Sequence, residues 1–309
     1  MDTQSFIDEK IKEIKAAVGE KNAIVALSGG VDSSTTAVLA HRAIGDQLIS
    51  IFIDDGLMRE NEPETVKDIF GGLGIDLKII DAEDEFFDAL KGIEDPEEKR
   101  KAFRNTFYTT FGGLVKESGA NYLLQGTIAA DIVETKGGVK TQHNVLEQIG
   151  IDPETYGFGV IEPLKELYKP EVRLVGESLG LPEEIHQRMP FPGPGLATRI
   201  IGEVTPERVE IVRKATKIVE DETKELRPFQ AFAVLMNDMA TGVEGGERTF
   251  GNIIIVRSVE SENAITAEVT KIPYEKLENM QRRITSEIPE VTRVVFDITP
   301  KPPATIEYI

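Results

Sequence analysis

Cysteine is absent from this sequence. Its absence excludes disulfides, thiolate zinc sites, iron–sulfur ligation and thiol nucleophiles. The three histidines, His41, His143 and His186, are far apart in the chain, so we expect no dedicated transition-metal site. Long apolar runs are also missing: no stretch approaches the roughly 20 uncharged residues that span a bilayer, and the charged N-terminal stretch lacks the apolar centre of a secretory signal. We therefore expect a cytoplasmic protein without a membrane partner.

Positive charge is in short supply. The chain has 35 Lys and Arg residues against 54 Asp and Glu residues, which gives a formal net charge of −19. Nonspecific nucleic-acid binding draws its affinity from Lys and Arg contacts to phosphates, so we expect no nucleic-acid partner. Any anionic ligand must instead be held locally, by backbone amides, a few placed basic side chains and a divalent cation.

The 309 residues predict two domains, at roughly 150 residues per domain. In residues 1–189, short and continuous apolar runs alternate with helical patterns, as in α/β proteins. The runs predict buried strands at 23–27, 48–53, 76–80 and 122–126, and the helical patterns cover 3–18, 33–43, a segment ending near 70, and 95–116. Strands that alternate with helices form a parallel sheet, whose ligands bind at the carboxyl edge.

The pattern changes at residues 189–195, where three prolines and two glycines fall within seven residues. No interior strand or helix accepts that composition, so the segment marks a domain boundary. Beyond it the sequence predicts a smaller α+β domain over residues 190–309. Its expected strands lie at 231–235, 252–259 and 292–298, and its expected helices at 206–224 and 273–286.

The sharpest local signal is the segment SGGVDSS at residues 28–34, between the first strand and the next helix. Glycines let the backbone approach a ligand, and amides at a helix N-terminus favour negative charge. The lysine of a Walker A loop is missing, which leaves Asp32 available to engage Mg²⁺ directly or through water. The same residues are also typical of a simple Gly-Gly turn with Ser and Asp helix caps.

The SGGVDSS segment resembles the pyrophosphate loop of the N-type ATP pyrophosphatases. These enzymes bind the β- and γ-phosphates of ATP as a unit and cleave ATP between the α- and β-phosphates. Residues 52–57 resemble the family segment that carries adenine along its backbone. The resemblance implies an ATP site formed by Ser28, Gly29, Gly30, Val31, Asp32, Ser33, Ser34, Ile53, Asp54 and Gly126, with Asp32 as a Mg²⁺ ligand.

Within these pyrophosphatases, the chain resembles the GMP synthetase family along nearly its whole length, in the form of its stand-alone ATP-pyrophosphatase subunit. The matching segments are QGTI with its acidic partners at 125–134, a lid at 140–144, the helix start EPLKELYK at 162–169, PFPGPGL at 190–196 and KPPATIE at 301–307. The resemblance implies a parallel-sheet ATP-pyrophosphatase domain of the adenine nucleotide alpha hydrolase type, followed by a dimerisation domain.

The chemistry implied by this resemblance is adenylation of the C2 oxygen of xanthosine monophosphate (XMP), after which ammonia displaces AMP to give GMP. The implied catalytic residues are Asp32, Asp131, Lys140, His143 and Lys169. The implied XMP contacts are Gln230, Arg293, Lys301, Thr305, Ile306 and Glu307, with Gln230 and Arg293 donated across a homodimer interface. Class I glutaminases need a cysteine nucleophile, so ammonia must come free or from a separate glutaminase subunit.

Two alternatives remain open at this stage, because the departures from the family pattern cluster in the segments expected to bind the acceptor. The lid has Gln142 and His143 where the family has two histidines, and Asn105 stands where an arginine is expected. The chain would then adenylate another oxo-purine or carbonyl acceptor, or act as a non-catalytic nucleotide-binding regulator. Arg188, just before the proline-rich segment, is equally consistent with packing and with substrate contact.

Overall fold

The computed structural model describes residues 2–136, 159–262 and 264–309. The chain divides into two compact units, each assembled from separated stretches of sequence. The first unit comprises Met1–Asp54, Asn61–Ala82 and Asn105–Arg188, and the second comprises Asp55–Glu60, Glu83–Arg104 and Met189–Ile309.

Helices and strands alternate along most of the described chain. The helices are α1 (Thr3–Val18), α2 (Val31–Ile44), α3 (Glu62–Gly72), α4 (Glu83–Leu90), α5 (Pro96–Ser118), α6 (Ala129–Lys136), α7 (Lys169–Ser178), α8 (Glu183–His186), α9 (Pro206–Thr223) and α10 (Tyr274–Glu287). The strands are β1 (Ala23–Leu27), β2 (Leu48–Asp54), β3 (Leu77–Asp81), β4 (Tyr122–Leu124), β5 (Gly159–Ile161), β6 (Gln230–Glu244), β7 (Glu247–Glu260), β8 (Glu268–Val269) and β9 (Val291–Phe296).

The first unit contains a five-stranded parallel sheet in the order β3-β2-β1-β4-β5. Its central strand β1 pairs with β2 on one side and with β4 on the other, so the strand order reverses between β1 and β4. In open α/β sheets, a ligand binds outside the carboxyl ends of the strands at such a switch point. The loops that follow β1 and β4 therefore flank the expected ligand position.

The central strands of this sheet form because their side chains are apolar on both faces. Ile24 and Phe52 are fully buried in β1 and β2, as expected for a parallel sheet covered by helices. Helices α1, α2 and α7 pack against one another, and α3 packs against β3. The helix α7 begins at Lys169 rather than within 162–168, because Pro170 suits the first turn of a helix, where no amide donor is needed.

The second unit contains a sheet in which β6 and β7 form a long antiparallel pair. Strand β8 pairs with β7 in antiparallel fashion, and β9 pairs with β7 in parallel fashion. Helix α9 packs against β6 and against α10, which in turn contacts β9. One face of the sheet buries an apolar cluster that comprises Phe232, Val234, Ile255, Val259, Ala267 and Ile306.

The predicted fold class is confirmed: a parallel α/β sheet in the N-terminal region is combined with an antiparallel C-terminal sheet flanked by helices. Short elements that the sequence patterns did not predict include α4, β5 and β8. Within the described residues, none of the helices combines the length and the apolar character needed to cross a bilayer.

Candidate active site

The phosphate loop, residues 28–34, connects β1 to α2. Gly29 has φ = +70°, in the left-handed region that favours glycine. Helix α2 begins at Val31 with Gly30 as its N-cap, and Gly30 provides no side-chain cap for the first turn. The first amides of a helix have no intrahelical partner, so an uncapped first turn presents donors and the positive end of the helix dipole to an anion.

The serine hydroxyls of the loop have different environments. Ser33 Oγ accepts from the amide of Ser28 at 3.1 Å and lies 3.1 Å from the hydroxyl of Ser28 and 3.3 Å from the Gly30 carbonyl oxygen. Ser33 therefore closes the loop on itself. Ser34 is fully buried, and its hydroxyl has no hydrogen-bond partner among the described residues.

Asp32 is the charged group of the loop. Its Oδ2 accepts from the Lys169 Nζ at 2.6 Å, whereas its Oδ1 is buried and has no hydrogen-bond partner in the described part of the chain. Burial raises the pKa of Asp32, because loss of water disfavours the charged carboxylate, and Lys169 opposes that effect. A buried carboxylate oxygen without a partner is destabilising, because it has lost its hydrogen bonds to water. A cation bound at Oδ1 would replace that lost interaction.

Gly126 and Asp131 belong to the segment after β4, on the other side of the switch point. A Cβ on Gly126 would lie 2.8 Å from the carbonyl carbon of Asp32 and 2.9 Å from the Ser33 nitrogen, so only glycine fits. Asp131 Oδ2 accepts from the amide of Ile128 at 3.0 Å, and the charge of Asp131 also raises the pKa of Asp32. The structure thus brings together three of the predicted catalytic residues, Asp32, Asp131 and Lys169.

Arg188 and Glu62 support the backbone of the phosphate loop. Arg188 Nη1 donates to the Gly29 carbonyl oxygen at 2.7 Å, and its Nη2 lies 2.8 Å from Glu62 Oε2. A Cβ on Gly29 would lie 2.3 Å from Glu62 Oε1, so a larger residue would have to displace the end of that side chain, and the positive φ favours glycine as well. Of the two roles left open for Arg188, the structure shows a contact with the loop backbone. Glu62 carried no sequence signal, because its partner is distant in the chain.

Ile53 and Asp54, the predicted adenine-side residues, end strand β2 beside β1. Ile53 is buried and pairs with Ile80 of β3, and the carbonyl oxygen of Asp54 accepts from the amide of Ala82 at 2.9 Å. Both residues therefore lie at the same carboxyl edge of the sheet as the phosphate loop.

Glu307 is the centre of a second cluster, in the second unit. Arg199 donates to both of its oxygens, from Nε to Oε2 at 3.1 Å and from Nη2 to Oε1 at 3.0 Å. The Gln230 Nε2 donates to Glu307 Oε1 at 2.9 Å and to the carbonyl oxygen of Pro190 at 2.9 Å. Both hydrogens of the Gln230 side-chain amide are then used. A ligand could therefore form a hydrogen bond with Gln230 only through the side-chain oxygen, which is an acceptor. Arg199 was not identified from the sequence.

The other predicted acceptor-binding residues occupy varied positions. Lys301 Nζ donates to the Ala264 carbonyl oxygen at 2.8 Å, and the Thr305 hydroxyl donates to the carbonyl oxygen of Glu307. Ile306 packs into the apolar cluster on one face of the sheet. Arg293 lies on β9 with an exposed side chain. The structure thus joins Gln230 and Thr305 to Glu307, whereas Lys301 and Ile306 contact other residues and the Arg293 side chain is exposed.

The C-terminal loop, residues 297–308, is fastened by a buried arginine. Arg257 is fully buried; it donates to the carbonyl oxygens of Thr299 and Thr305 and pairs with Asp297 at 3.1 Å. The Tyr308 hydroxyl donates to Asp297 Oδ2 at 2.8 Å. Burial raises the pKa of Tyr308, and the bond to Asp297 raises it further. The loop therefore has a defined conformation that depends on interactions within its own unit.

Two predicted catalytic residues, Lys140 and His143, lie outside the described residues. In the part of the chain that is described, no three or more His, Asp or Glu side chains cluster as a metal site. A divalent cation at Asp32 would therefore take most of its ligands from a bound nucleotide and water, which is how Mg²⁺ is usually held beside phosphates.

Comparisons with known proteins agree with this geometry. Residues 2–106 match the sequence family described as NAD synthase, and residues 216–308 match the family described as GMP synthase C terminal domain. Over 309 residues the chain is 58% identical to a subunit of the glutamine-hydrolyzing GMP synthase of Archaeoglobus fulgidus, with 100% of both chains covered. The chain belongs to this family of GMP synthase subunits.

Other members of the family are similarly close. The corresponding subunit of Pyrococcus furiosus is 54% identical over 308 residues, which cover 99% of this chain and 97% of the relative. That of Methanopyrus kandleri is 52% identical over 315 residues, which cover 99% of each chain. The resemblance expected from the SGGVDSS, PFPGPGL and KPPATIE segments is therefore confirmed.

Proposed function

We propose that this chain is the ATP-pyrophosphatase subunit in GMP synthesis, a ligase that adenylates the C2 oxygen of XMP with MgATP. Ammonia then displaces AMP, so that the products are GMP, AMP and pyrophosphate. The observation that carries this proposal is the uncapped phosphate loop at the switch point of the sheet, with Asp32 Oδ1 buried and unpaired among the described residues, in a chain of the GMP synthase family.

The loop acts by binding the leaving group. Amides of residues 29–33 at the start of α2 donate to the β- and γ-phosphates, whose charge the helix dipole stabilises. The α-phosphorus then remains accessible to the XMP oxygen. Oxide is a poor leaving group from a purine, whereas the phosphate of AMP is a good one, which explains why ATP is split between the α- and β-phosphates.

Mg²⁺ fits the residues present. Asp32 Oδ1 is the oxygen that would hold it, since Oδ2 is bonded to Lys169. When bound there, the cation would neutralise charge on the pyrophosphate. Lys169 bonds to Asp32 and is proposed to position it and to neutralise phosphate charge, and Asp131 accepts from the amide of Ile128 in the segment after β4. Lys140 and His143 are proposed to close a lid over the nucleotides and exclude water.

The C-terminal loop is the proposed XMP site. Lys301 suits the nucleotide phosphate as a point charge, and Glu307 accepts from the ring N–H groups of xanthine. Thr305 and Ile306 complete the loop. The expected donation of Gln230 from a second chain is corrected by the structure, in which Gln230 bonds to Glu307 of its own chain, so a second copy in a homodimer is proposed to provide Arg293 alone. In this assignment residues 1–189 serve ATP chemistry, and residues 190–309 serve dimerisation and acceptor binding.

Ammonia comes from a separate class I glutaminase subunit. The relatives are named as subunits of a glutamine-hydrolyzing GMP synthase. Class I glutaminases require a cysteine nucleophile, and this chain has none. The proposed location of the pair is the cytoplasm, where its nucleotide substrates are found.

The test is a reconstitution with ATP, Mg²⁺, an ammonium salt and XMP, in which GMP, AMP and pyrophosphate are measured. The proposal predicts equal amounts of all three products, and AMP formation that depends on XMP. AMP formation only with a different acceptor would mean a divergent pyrophosphatase, and ATP binding without turnover would mean a regulator. Either result contradicts the proposal.

A further inference from the structure

Arg199 is a deeply buried charged group near the proposed XMP site. It ends a short 3-10 helix, Gly195–Arg199, that follows the proline-rich segment, and only 1% of its surface is exposed. Its Nε and Nη2 both donate to Glu307, one to each carboxylate oxygen. A bidentate pair of this kind fixes the plane and the direction of the carboxylate, which a single hydrogen bond cannot do.

Two aromatic rings hold the guanidinium in place. Its central carbon lies 4.1 Å from the ring centre of Phe232 and 4.9 Å from that of Phe191. These contacts offset part of the cost of burying the cation. Its Nη1 is buried with no hydrogen-bond partner among the described residues, which adds to that cost. Because buried ion pairs contribute little net stability, orientation of Glu307 explains this arrangement better than stabilisation does.

The hydrogen bonds also determine which oxygen of Glu307 can accept a further donor. A carboxylate offers about four acceptor positions. Arg199 occupies one on each oxygen, and Gln230 occupies a second on Oε1. The remaining capacity therefore lies on Oε2, and the Glu307 side chain as a whole is 21% exposed.

We propose that Arg199 is a positioning residue for acceptor recognition: it aims Glu307 Oε2 at a ring N–H of the purine base. This inference rests on the proposed function. A base that presents an N–H at this edge gains a charge-assisted hydrogen bond, whereas a base with a ring-nitrogen lone pair there meets the anionic oxygen and is rejected. Arg199 thereby contributes to selection of the base although it does not touch the base.

The experiment compares wild type, Arg199→Lys and Arg199→Met, each also combined with Glu307→Gln, in the ammonium-dependent assay. The lysine variant keeps the positive charge that neutralises Glu307 but loses the bidentate geometry of the guanidinium. We therefore expect it to fold even if the methionine variant does not. The lysine change should raise KM for XMP about tenfold, and KM for ATP should stay within about twofold. In the Glu307→Gln background the same change should add less than about twofold, because the two residues act as one unit.

The matched control is Arg59→Met. Arg59 also stacks on Phe191, at 4.2 Å, but it pairs with Glu220 at 2.9 Å instead of Glu307. We expect KM for XMP to change by less than about threefold in this variant. The inference would be overturned if KM for XMP rose equally in Arg59→Met and Arg199→Lys, or if it did not change in Arg199→Lys. It would also be overturned if the effects of the Arg199 and Glu307 substitutions on KM were independent of each other. Inactivity of the wild type with XMP would instead refute the proposed function.

Discussion

The phosphate loop of the first unit and the C-terminal loop of the second unit differ in whether their polar groups have partners within the protein. In the phosphate loop, the start of α2 has no side-chain cap, and Asp32 Oδ1 has no partner in the described chain. In the C-terminal loop, Glu307 accepts from two side chains, and Asp297 pairs with Arg257 and Tyr308.

This difference indicates two ways of building a binding site. If the phosphate loop binds MgATP as proposed, its uncapped amides and Asp32 Oδ1 would gain partners from the ligand, so the cost of burying them would be recovered only when the nucleotide binds. The C-terminal loop is ordered by its own protein contacts, so it meets its ligand with a conformation already set. Substitutions in the first loop should therefore act mainly on chemistry, and substitutions in the second should act on acceptor affinity and stability.

The largest effect is expected from Asp32→Ala. Loss of the carboxylate removes the proposed cation ligand and leaves Lys169 without its partner, so kcat should fall by about a thousandfold or more. Steady-state kinetics with MgATP, together with a melting curve to confirm folding, measure it. Asp46→Ala, at an exposed position beyond the far end of α2, is the control and should keep full activity. A kcat within about tenfold of wild type in Asp32→Ala would remove the loop from the mechanism.

A second test crowds the phosphate loop without changing its charges. A Cβ in Gly126→Ala meets the backbone of Asp32 and Ser33, so the segments after β1 and β4 must separate. We expect destabilisation of about 1–3 kcal/mol and a clear rise in KM for ATP.

Gly71→Ala in α3 is the matched control for Gly126→Ala, because its Cβ meets nothing within 4 Å. It should be neutral or stabilise by up to about 1 kcal/mol. Equal unfolding free energies for the two variants in urea would show that the close contact is not needed.

Lys301→Ala tests whether the C-terminal loop binds XMP and the phosphate loop binds ATP, as proposed. Removal of the proposed phosphate contact should raise KM for XMP about tenfold, with little change in KM for ATP, since the proposed ATP site lies in the other unit. Lys271→Ala, an exposed lysine in the same unit, controls for the loss of general positive charge. Equal changes in the two Michaelis constants of Lys301→Ala would contradict the assignment.

The smallest effect concerns pH. Burial opposes ionisation of Asp297, but bonds from Thr299 and Tyr308, together with the charge of Arg257, outweigh it, and the pKa of Asp297 falls below its ordinary value. A carboxylate with a lowered pKa stabilises the fold above its unfolded value, which is about 3.9, and that contribution is lost as the pH falls further.

Asp297→Asn should therefore reduce the free energy of unfolding by about 1 kcal/mol at neutral pH, with a smaller deficit below about pH 4. Urea unfolding at both pH values measures the deficit. A deficit that is constant with pH would mean that the ionised carboxylate does not fasten the loop.

Much of the fold followed from local patterns. The apolar runs predicted β1 and β2 because strands buried on both faces cannot alternate with polar residues. Strand β5 was missed because three residues are too few for a pattern, and α4 was missed although its charges and apolar residues fall at helical spacing.

The site was predictable only as far as contiguous motifs extend. SGGVDSS predicted a role for Asp32, which stays a prediction, whereas the residues that support the two loops are distant in sequence. Arg199 lies 108 positions from Glu307, and no local pattern signals such a pair. Long-range ion pairs become visible only when the packing of the chain is known.

The most direct test of the central claim is a crystal structure of the protein with Mg²⁺ and a non-hydrolysable ATP analogue. We expect β- and γ-phosphate oxygens within about 3.2 Å of amides in residues 29–33, with the cation bound to Asp32 Oδ1. A triphosphate located away from this loop, or a γ-phosphate directed into solvent, would contradict it.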